Sequence, residues 1–349
     1  GRAPGYTYAR EGHPNADVVA RHLDRLEGAE GGLVTGSGMA AVTAAVLGLL
    51  NSGDHIIGGN QLYGRSLRLM NEDLPRLGIA TTLVDPGDVK AVRTALRPET
   101  RMVLVEVVSN PTLRVADIDG LAELCRDHNV LFVVDNTFTT PKAFRPFDHG
   151  ADIVLHSITK LLAGHSDVML GYVVARTPDL NEKLRVFAVT TGLSPSPFDC
   201  WLAERGLNTF ALRFERAQRT AAVLADHLSG LPGIARVIYP TRNDHPDLDR
   251  ATGLLNGQGC NMVSFELEGE RAVANAFARA ADGLSFAPTL GDVGTTLSHP
   301  ASSSHRALSP AEREALGISE GFFRVSVGLE DPEDLKRVFS EAVAQATSL

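Results

Sequence analysis

Cysteine is scarce: the 349 residues hold only Cys125, Cys200 and Cys260. They are far apart and odd in number, which argues against a disulfide framework and against a metal site, so no metal is expected. They read as reduced thiols of a cytoplasmic protein. A run of about 18 apolar residues is also missing, so no transmembrane span is expected. The opening "GRAPGYTYAR" does not have the make-up of a signal peptide. It lacks an initiator methionine, and further residues are expected upstream. Basic charge is short as well. Lys and Arg number 33 against 42 Asp and Glu, leaving a formal net charge of −9 with no Lys/Arg block. That balance argues against a nucleic-acid surface, and an anionic ligand would need a local cluster of donors. Internal repeats and low-complexity segments are absent too.

What is present is globular. Hydrophobic residues make up 44% of the chain and 33 residues are glycine. The length suits one large domain and a smaller one. From about residue 30 to 175, apolar runs alternate with helical patterns. The expected strands are "HII" at 55–57, "IATTLV" at 79–84, "RMVLVEVV" at 101–108, "VLFVVD" at 130–135, "DIVLH" at 152–156 and "LGYVVA" at 170–175. They lack strict polar alternation, as strands covered on both faces do. Stretches such as "GDVKAVRTAL" and "DIDGLAELCRDH" read as helices between them. The alternation predicts an α/β fold with an open, mostly parallel sheet, whose ligands sit at the carboxyl ends of the strands. From Pro197 to about Leu231 the pattern is one long helix or two in succession. Beyond it, "ARVIYP", "NMVSFEL", a helix near 271–281, "LSFA" and "FFRVSV" predict a smaller α+β domain. Asp331-Pro332 reads as an N-cap with Pro at the first helical position. "SPAERE" carries a capping box through Glu312. The expected division is an arm at 1–30, a large domain at 31–209 and a small domain at 210–349.

Several strand ends carry polar residues. "HSITK" ends a buried strand in Lys160, with Ser157 and Thr159 beside it. A lysine at the mouth of a core strand is costly unless something uses it; the plainer reading is a lysine already in a solvated loop. Gly36-Ser37-Gly38 opens an apolar helix, where free N–H groups can face an anion; a packing turn would look the same. "VVDNT" ends a strand in Asp135, which could bind a metal, cap a helix or hold a protonated ring nitrogen. "EVVSNPT" ends one at Asn110-Pro111, a pair that also suits a plain turn. Taken together, a glycine anion loop, an asparagine, an aspartate and a lysine between hydroxyls are what pyridoxal phosphate needs. Tyr63 in "LYGRS" is a candidate to cover the cofactor face, or an ordinary packing residue.

The ordered set "HSITKLLAGHSD", "GSGMAA", "VVDNTF", "SNPTLR" and "FFRVSVGLED" closely resembles the Cys/Met-metabolism family of pyridoxal-phosphate enzymes. That family includes cystathionine γ-synthase, cystathionine γ- and β-lyases, methionine γ-lyase and O-acylhomoserine sulfhydrylases. The resemblance runs from about Tyr8 to the C-terminus. It implies a fold-type I transferase with a seven-stranded-type sheet. Lys160 would be the Schiff-base lysine and proton shuttle, and Asp135 the partner of the ring nitrogen. Ser157, Thr159 and the amides of Gly38 and Met39 would hold the phosphate. Tyr63 would stack on the ring and act as an acid or base. Asn110 would lie near the ring hydroxyl or the substrate carboxylate and Thr289 near the substrate, with Arg324 clamping the substrate carboxylate. Tyr8 and Arg10 would reach the phosphate of a neighbouring subunit in a homotetramer, a dimer of dimers with shared sites.

Departures from the family pattern bear on substrate. "EGHPN" follows Arg10 where many members have Asn-Pro-Thr. Arg65 stands where γ-lyases often carry glycine, or cysteine in methionine γ-lyases. It reads as a surface arginine or as a positive charge at the substrate mouth. Relatives that handle cystathionine often carry "SLGGxES"; this chain has Gly294 in place of the glutamate and Thr289 in place of the first serine. The first 40 or so residues expected of the family are also missing. The expected reaction is α,γ-elimination on a sulfur-containing amino acid, methionine γ-lyase-like. Alternatives are γ-replacement, a cystathionine lyase, an aminotransferase or decarboxylase on the same fold, and a non-catalytic cofactor-binding protein.

Overall fold

Strands without polar alternation need cover on both faces. The computed structural model describes residues 5–306 and 308–348. The first four residues of the expected arm, and residues 307 and 349 of the expected small domain, lie outside them. By its contacts the chain forms two compact units: residues up to Val108 with Ala116–Phe210, and Ser109–Val115 with Ala211 onward.

The first unit is built on seven strands: β1 (Leu33–Thr35), β2 (His55–Gly59), β3 (Ala80–Val84), β4 (Thr100–Glu106), β5 (Leu131–Asp135), β6 (Ile153–Ser157) and β7 (Gly171–Ala175). Their order is β1-β7-β6-β5-β4-β2-β3. The pairs among β2 to β6 are parallel, while β7 runs against both β6 and β1. The mostly parallel sheet is therefore present. Helix α1 (Pro14–Glu27) precedes it, and helices α2 (Gly38–Leu49) and α3 (Gly64–Arg68) follow β1 and β2. Helix α2 is almost wholly apolar, and its Ala41, Ala44 and Ala45 share a core with Leu104, Val133 and Leu155. Helix Ile118–Asp127 is amphipathic and buries Leu121, Leu124 and Cys125. The register sets Glu106 beside Asp135 and Asp135 beside Leu155, so β4, β5 and β6 end side by side.

The second unit has a sheet of β8 (Ile234–Ile238), β9 (Met262–Leu267), β10 (Ser285–Phe286), β11 (Thr296–Ser298) and β12 (Phe322–Ser326), in the order β10-β11-β12-β9-β8. Its core is aromatic: Phe265 stacks on Phe323 at 5.6 Å, and Phe277 and Phe339 meet Phe265 edge-on. Asp331 caps the final helix, Pro332–Thr347, and Ser309 with Glu312 forms the expected capping box. The segment after β4 is tied to this unit. Arg114 forks onto Asp247 at 2.6 and 3.0 Å, and Ser264 donates to Pro111 O at 2.6 Å.

Two short strands were not readable in advance. Strands β1 and β11 are three residues each, too short to show a period. The helical pattern after Pro197 is two helices in succession, Pro197–Leu207 and Phe210–Ser229, one of the two expected forms. All three cysteines are unpaired and buried, and burial pushes each thiol up to about 12. No described helix is long and apolar enough to cross a membrane.

Candidate active site

The first unit gathers most of the predicted residues at the ends of β4, β5 and β6. Ser37 caps α2 by accepting from the Ala40 amide at 3.0 Å. The amides of Gly38 and Met39 open the helix with no intrahelical acceptor, so they are available to an anion. Gly38 presses against the end of β6: a Cβ on it would lie 2.7 Å from Ser157 Cβ and 2.9 Å from Ser157 Oγ. The glycine therefore brings the helix start against the Ser157 hydroxyl, a cradle that any side chain would fill.

Asp135 closes β5. Thr137 N–H donates to its Oδ1 at 3.0 Å, and Thr137 Oγ1 accepts the Ser157 amide at 2.7 Å. Thr137 thus couples the ends of β5 and β6. Burial pushes the Asp135 carboxyl above the usual range, while the Thr137 donors and the positive charge of His156 pull it back. Glu106 lies beside it in register. Burial and then the Asp135 charge push Glu106 well above the usual carboxylate range, against the pull of the Tyr63 amide. That amide donates to Glu106 Oε1 at 2.6 Å and fixes Tyr63 at the start of α3, where its ring is 48% exposed. Glu106 and Thr137 were missed by sequence reasoning. The signal for Glu106 was a single acid inside an apolar run; for Thr137 it was a hydroxyl two residues beyond Asp135.

Lys160 follows β6 in a turn, its amide bonded to Ser157 O at 3.2 Å and its side chain half-buried. The Thr159 hydroxyl is engaged by the backbone: it donates to Leu170 O at 3.2 Å and accepts from Leu170 N at 3.1 Å. Thr159 therefore braces the lysine turn against the start of β7. Tyr8 and Arg10 are not brought to these residues. Arg10 donates to Val189 O and lies 5.1 Å over the Tyr8 ring, which is 57% exposed. Arg65 is exposed in the first turn of α3.

The second unit brings Arg324, Asn110 and Thr289 together. Arg324 on β12 is 5% exposed. Its Nη1 donates to Asn110 Oδ1 at 2.8 Å and its Nη2 to Thr289 O at 2.6 Å, while its buried Nε has no partner. Burial lowers the guanidinium to about 10. Among the described residues its partners are neutral oxygens, so a buried cation is left asking for an anion. Nearby in sequence, Gly294 donates to Asp292 Oδ1 at 2.8 Å, and both oxygens of Glu330 are taken by Thr295.

The family model for Cys/Met metabolism PLP-dependent enzymes matches residues 1–344. The chain belongs to this family. It is 39% identical over 340 residues to cystathionine beta-lyase of Bacillus subtilis (97% of this chain, 86% of the relative). It is 37% identical over 334 residues to L-methionine gamma-lyase of Fusobacterium nucleatum subsp. nucleatum (95% and 84%). Among solved structures, cystathionine gamma synthase from Xanthomonas oryzae pv. oryzae, in complex with aminoacrylate and cysteine, superposes with a TM-score of 0.96. It has 37% identity, covering 100% of this chain and 90% of that one.

As a Cys/Met-metabolism enzyme the chain depends on pyridoxal phosphate and belongs among carbon–sulfur lyases and γ-synthases. Its residues fit that cofactor. The Gly38–Ser157 cradle offers two helix amides and a hydroxyl to a phosphate. The Asp135 carboxylate is buried at a neighbouring strand end, and Lys160 follows Ser157 within one turn.

Proposed function

We propose that the chain catalyses α,γ-elimination on a sulfur-containing amino acid, releasing an α-keto acid, ammonia and a thiol, as a methionine γ-lyase does. The Gly294 loop carries this reading. The family resemblance implies that relatives that handle cystathionine often have a glutamate there, which can meet the distal ammonium. This chain has no side chain at that place, and the nearby Glu330 is held through both oxygens by Thr295. Among the described residues, the carboxylates beside Gly294, those of Asp292 and Glu330, already accept hydrogen bonds, whereas an apolar thioether needs no carboxylate. The methionine γ-lyase from Fusobacterium supports the same reaction.

When bound, pyridoxal phosphate supplies an electron sink for the electrons left at the substrate α-carbon. Lys160 Nζ holds the cofactor and then takes the α-proton. Asp135 accepts from the ring N–H and keeps that proton in place. The Gly38 and Met39 amides and the Ser157 hydroxyl bind the phosphate, and Thr159 fixes the Lys160 turn. Tyr63 covers the ring and presents its hydroxyl as an acid or base. Arg324 takes the substrate carboxylate, with Asn110 and Thr289 orienting its fork.

A second reading, γ-replacement on an O-acylated homoserine, draws on Arg65, whose exposed cation suits an anionic leaving group. Either reaction uses a small amino-acid substrate. A homotetramer with shared sites is supported by the exposed Met169, Phe198 and Trp201. A cytoplasmic location is supported by the three unpaired thiols.

Gly294→Glu tests the substrate reading. A Cβ at Gly294 would lie 3.6 Å from its nearest neighbour, Asp292 Oδ1, so the side chain can be accommodated. A new partner for the distal ammonium is worth about 1–3 kcal/mol, which should raise kcat/KM for cystathionine relative to methionine about 5- to 150-fold. An unchanged ratio in a folded variant would remove Gly294 from the distal pocket and take away the main support for a non-cystathionine substrate.

A further inference from the structure

Glu27 is the last residue of α1 and is fully buried. A carboxylate there faces the unfavourable end of the helix dipole and has lost its water, so it needs strong partners. Its Oε1 accepts from Asn136 Nδ2 at 2.9 Å and forms a close hydrogen bond with Nε2 of His156, which is also fully buried. Both partners adjoin the site in sequence. Asn136 follows Asp135, and His156 precedes Ser157. Strand alternation turns Asp135 and Ser157 to the face covered by α2, and their neighbours Asn136 and His156 to the other.

The cluster is tied into both strand ends. Asn136 N–H donates to Leu155 O at 2.9 Å, and Asn136 Nδ2 also donates to Phe144 O at 2.9 Å. The pair itself is only half satisfied: Glu27 Oε2 and His156 Nδ1 are buried and have no hydrogen-bond partner. A half-satisfied buried polar pair is a poor device for stability alone, since an apolar pair of like shape would do better. The groups that face His156 are Glu27 from α1 and Tyr172 from β7, whose ring centroid lies 6.2 Å away. Behind Tyr172 stands Asp24, which accepts its hydroxyl at 2.5 Å. From across the sheet His156 favours the ionised form of Asp135 on β5, against the effect of burial.

We infer that Glu27 and His156 are positioning residues, a buried hydrogen-bonded pair that fixes Asp135 and Ser157 from beneath the sheet. The inference rests on the reading of Asp135 and Ser157 as cofactor ligands. Glu27→Gln separates charge from shape, because the amide oxygen can still accept from Asn136 and His156 while the carboxylate charge is gone. His156→Gln removes the imidazole.

Both variants and Asp135→Asn are compared with the unmodified protein in four measurements. These are melting of the cofactor-free protein, ¹⁵N NMR of the His156 ring in that protein, the dissociation constant for pyridoxal phosphate, and the pH dependence of the bound cofactor's absorbance. In Glu27→Gln the His156 ring nitrogen signals should shift, because Nε2 exchanges a carboxylate partner for a neutral amide oxygen. The dissociation constant should rise about tenfold, the size of one lost charge-assisted hydrogen bond. The absorbance transition should shift in the same sense as in Asp135→Asn. If Asp135→Asn changes neither affinity nor absorbance, the role of Asp135 fails, and this inference fails with it. If Asp135→Asn changes both while Glu27→Gln alters only the melting temperature, the pair is merely structural and the inference alone is overturned. Should His156→Gln not fold, the isosteric Glu27→Gln decides.

Discussion

Replacing Arg324 gives a prediction whose size can be worked from the structure. A guanidinium has five N–H bonds. Here one on Nη1 goes to Asn110 and one on Nη2 to Thr289 O, which leaves Nε and one hydrogen on each terminal nitrogen. Nε and Nη2 form one edge of a guanidinium, the edge that grips a carboxylate with two parallel bonds. Each charge-assisted bond is worth about 1.5–3 kcal/mol, so losing both should cost about 3–6 kcal/mol, or roughly 10²- to 10⁴-fold in kcat/KM. Arg324→Ala should show the full loss. Arg324→Lys keeps a charge but not the fork, and should lose about 10²-fold. The fold should tolerate both changes: each orphaned acceptor costs about 1–3 kcal/mol, offset by removal of a buried cation lacking a counter-ion. Steady-state kinetics, with melting of the cofactor-free protein as control, make the check. A loss below tenfold in a folded Arg324→Ala protein would refute the carboxylate clamp.

Two further predictions concern the cofactor end. Asp135→Ala should slow turnover by about three orders of magnitude or more, roughly 4 kcal/mol of barrier, because the ring nitrogen loses its proton partner; a loss below tenfold in single-turnover kinetics would reduce Asp135 to a structural residue. Arg10→Ala and Lys160→Ala proteins, each impaired alone, should regain activity when mixed and allowed to exchange subunits, since one site of a mixed dimer keeps both groups; no recovery despite proven exchange would confine Arg10 to its own chain.

Much of the sheet was legible because β2 and β4 to β7 are mostly buried on both faces and therefore read as apolar runs, and even the half-buried edge strand β3 keeps β-branched residues. β1 and β11 were not, since three residues show no period. The end of β4 at Glu106 was hidden because Val107 and Val108 continue the apolar run while their backbone has left the ladder. The grouping of Ser109–Val115 with the second unit depends on tertiary bonds such as Arg114 to Asp247, which no local pattern announces. At the site, Gly38, Asp135, Ser157 and Lys160 were visible because polar residues at the ends of buried strands stand out. Glu27 and His156 were not. They meet across the fold, and each alone looks like a helix-end acid or a strand histidine.

The most direct test of the central claim is product release by the unmodified enzyme. Methionine, cystathionine, cysteine and O-acetylhomoserine are supplied one at a time, with and without an added thiol, and keto acid, ammonia and free thiol are measured. Methionine alone should yield all three in equal amounts, with a higher kcat/KM than cystathionine. Keto acid from cystathionine in preference to methionine, or turnover only when a thiol is added, would contradict that claim.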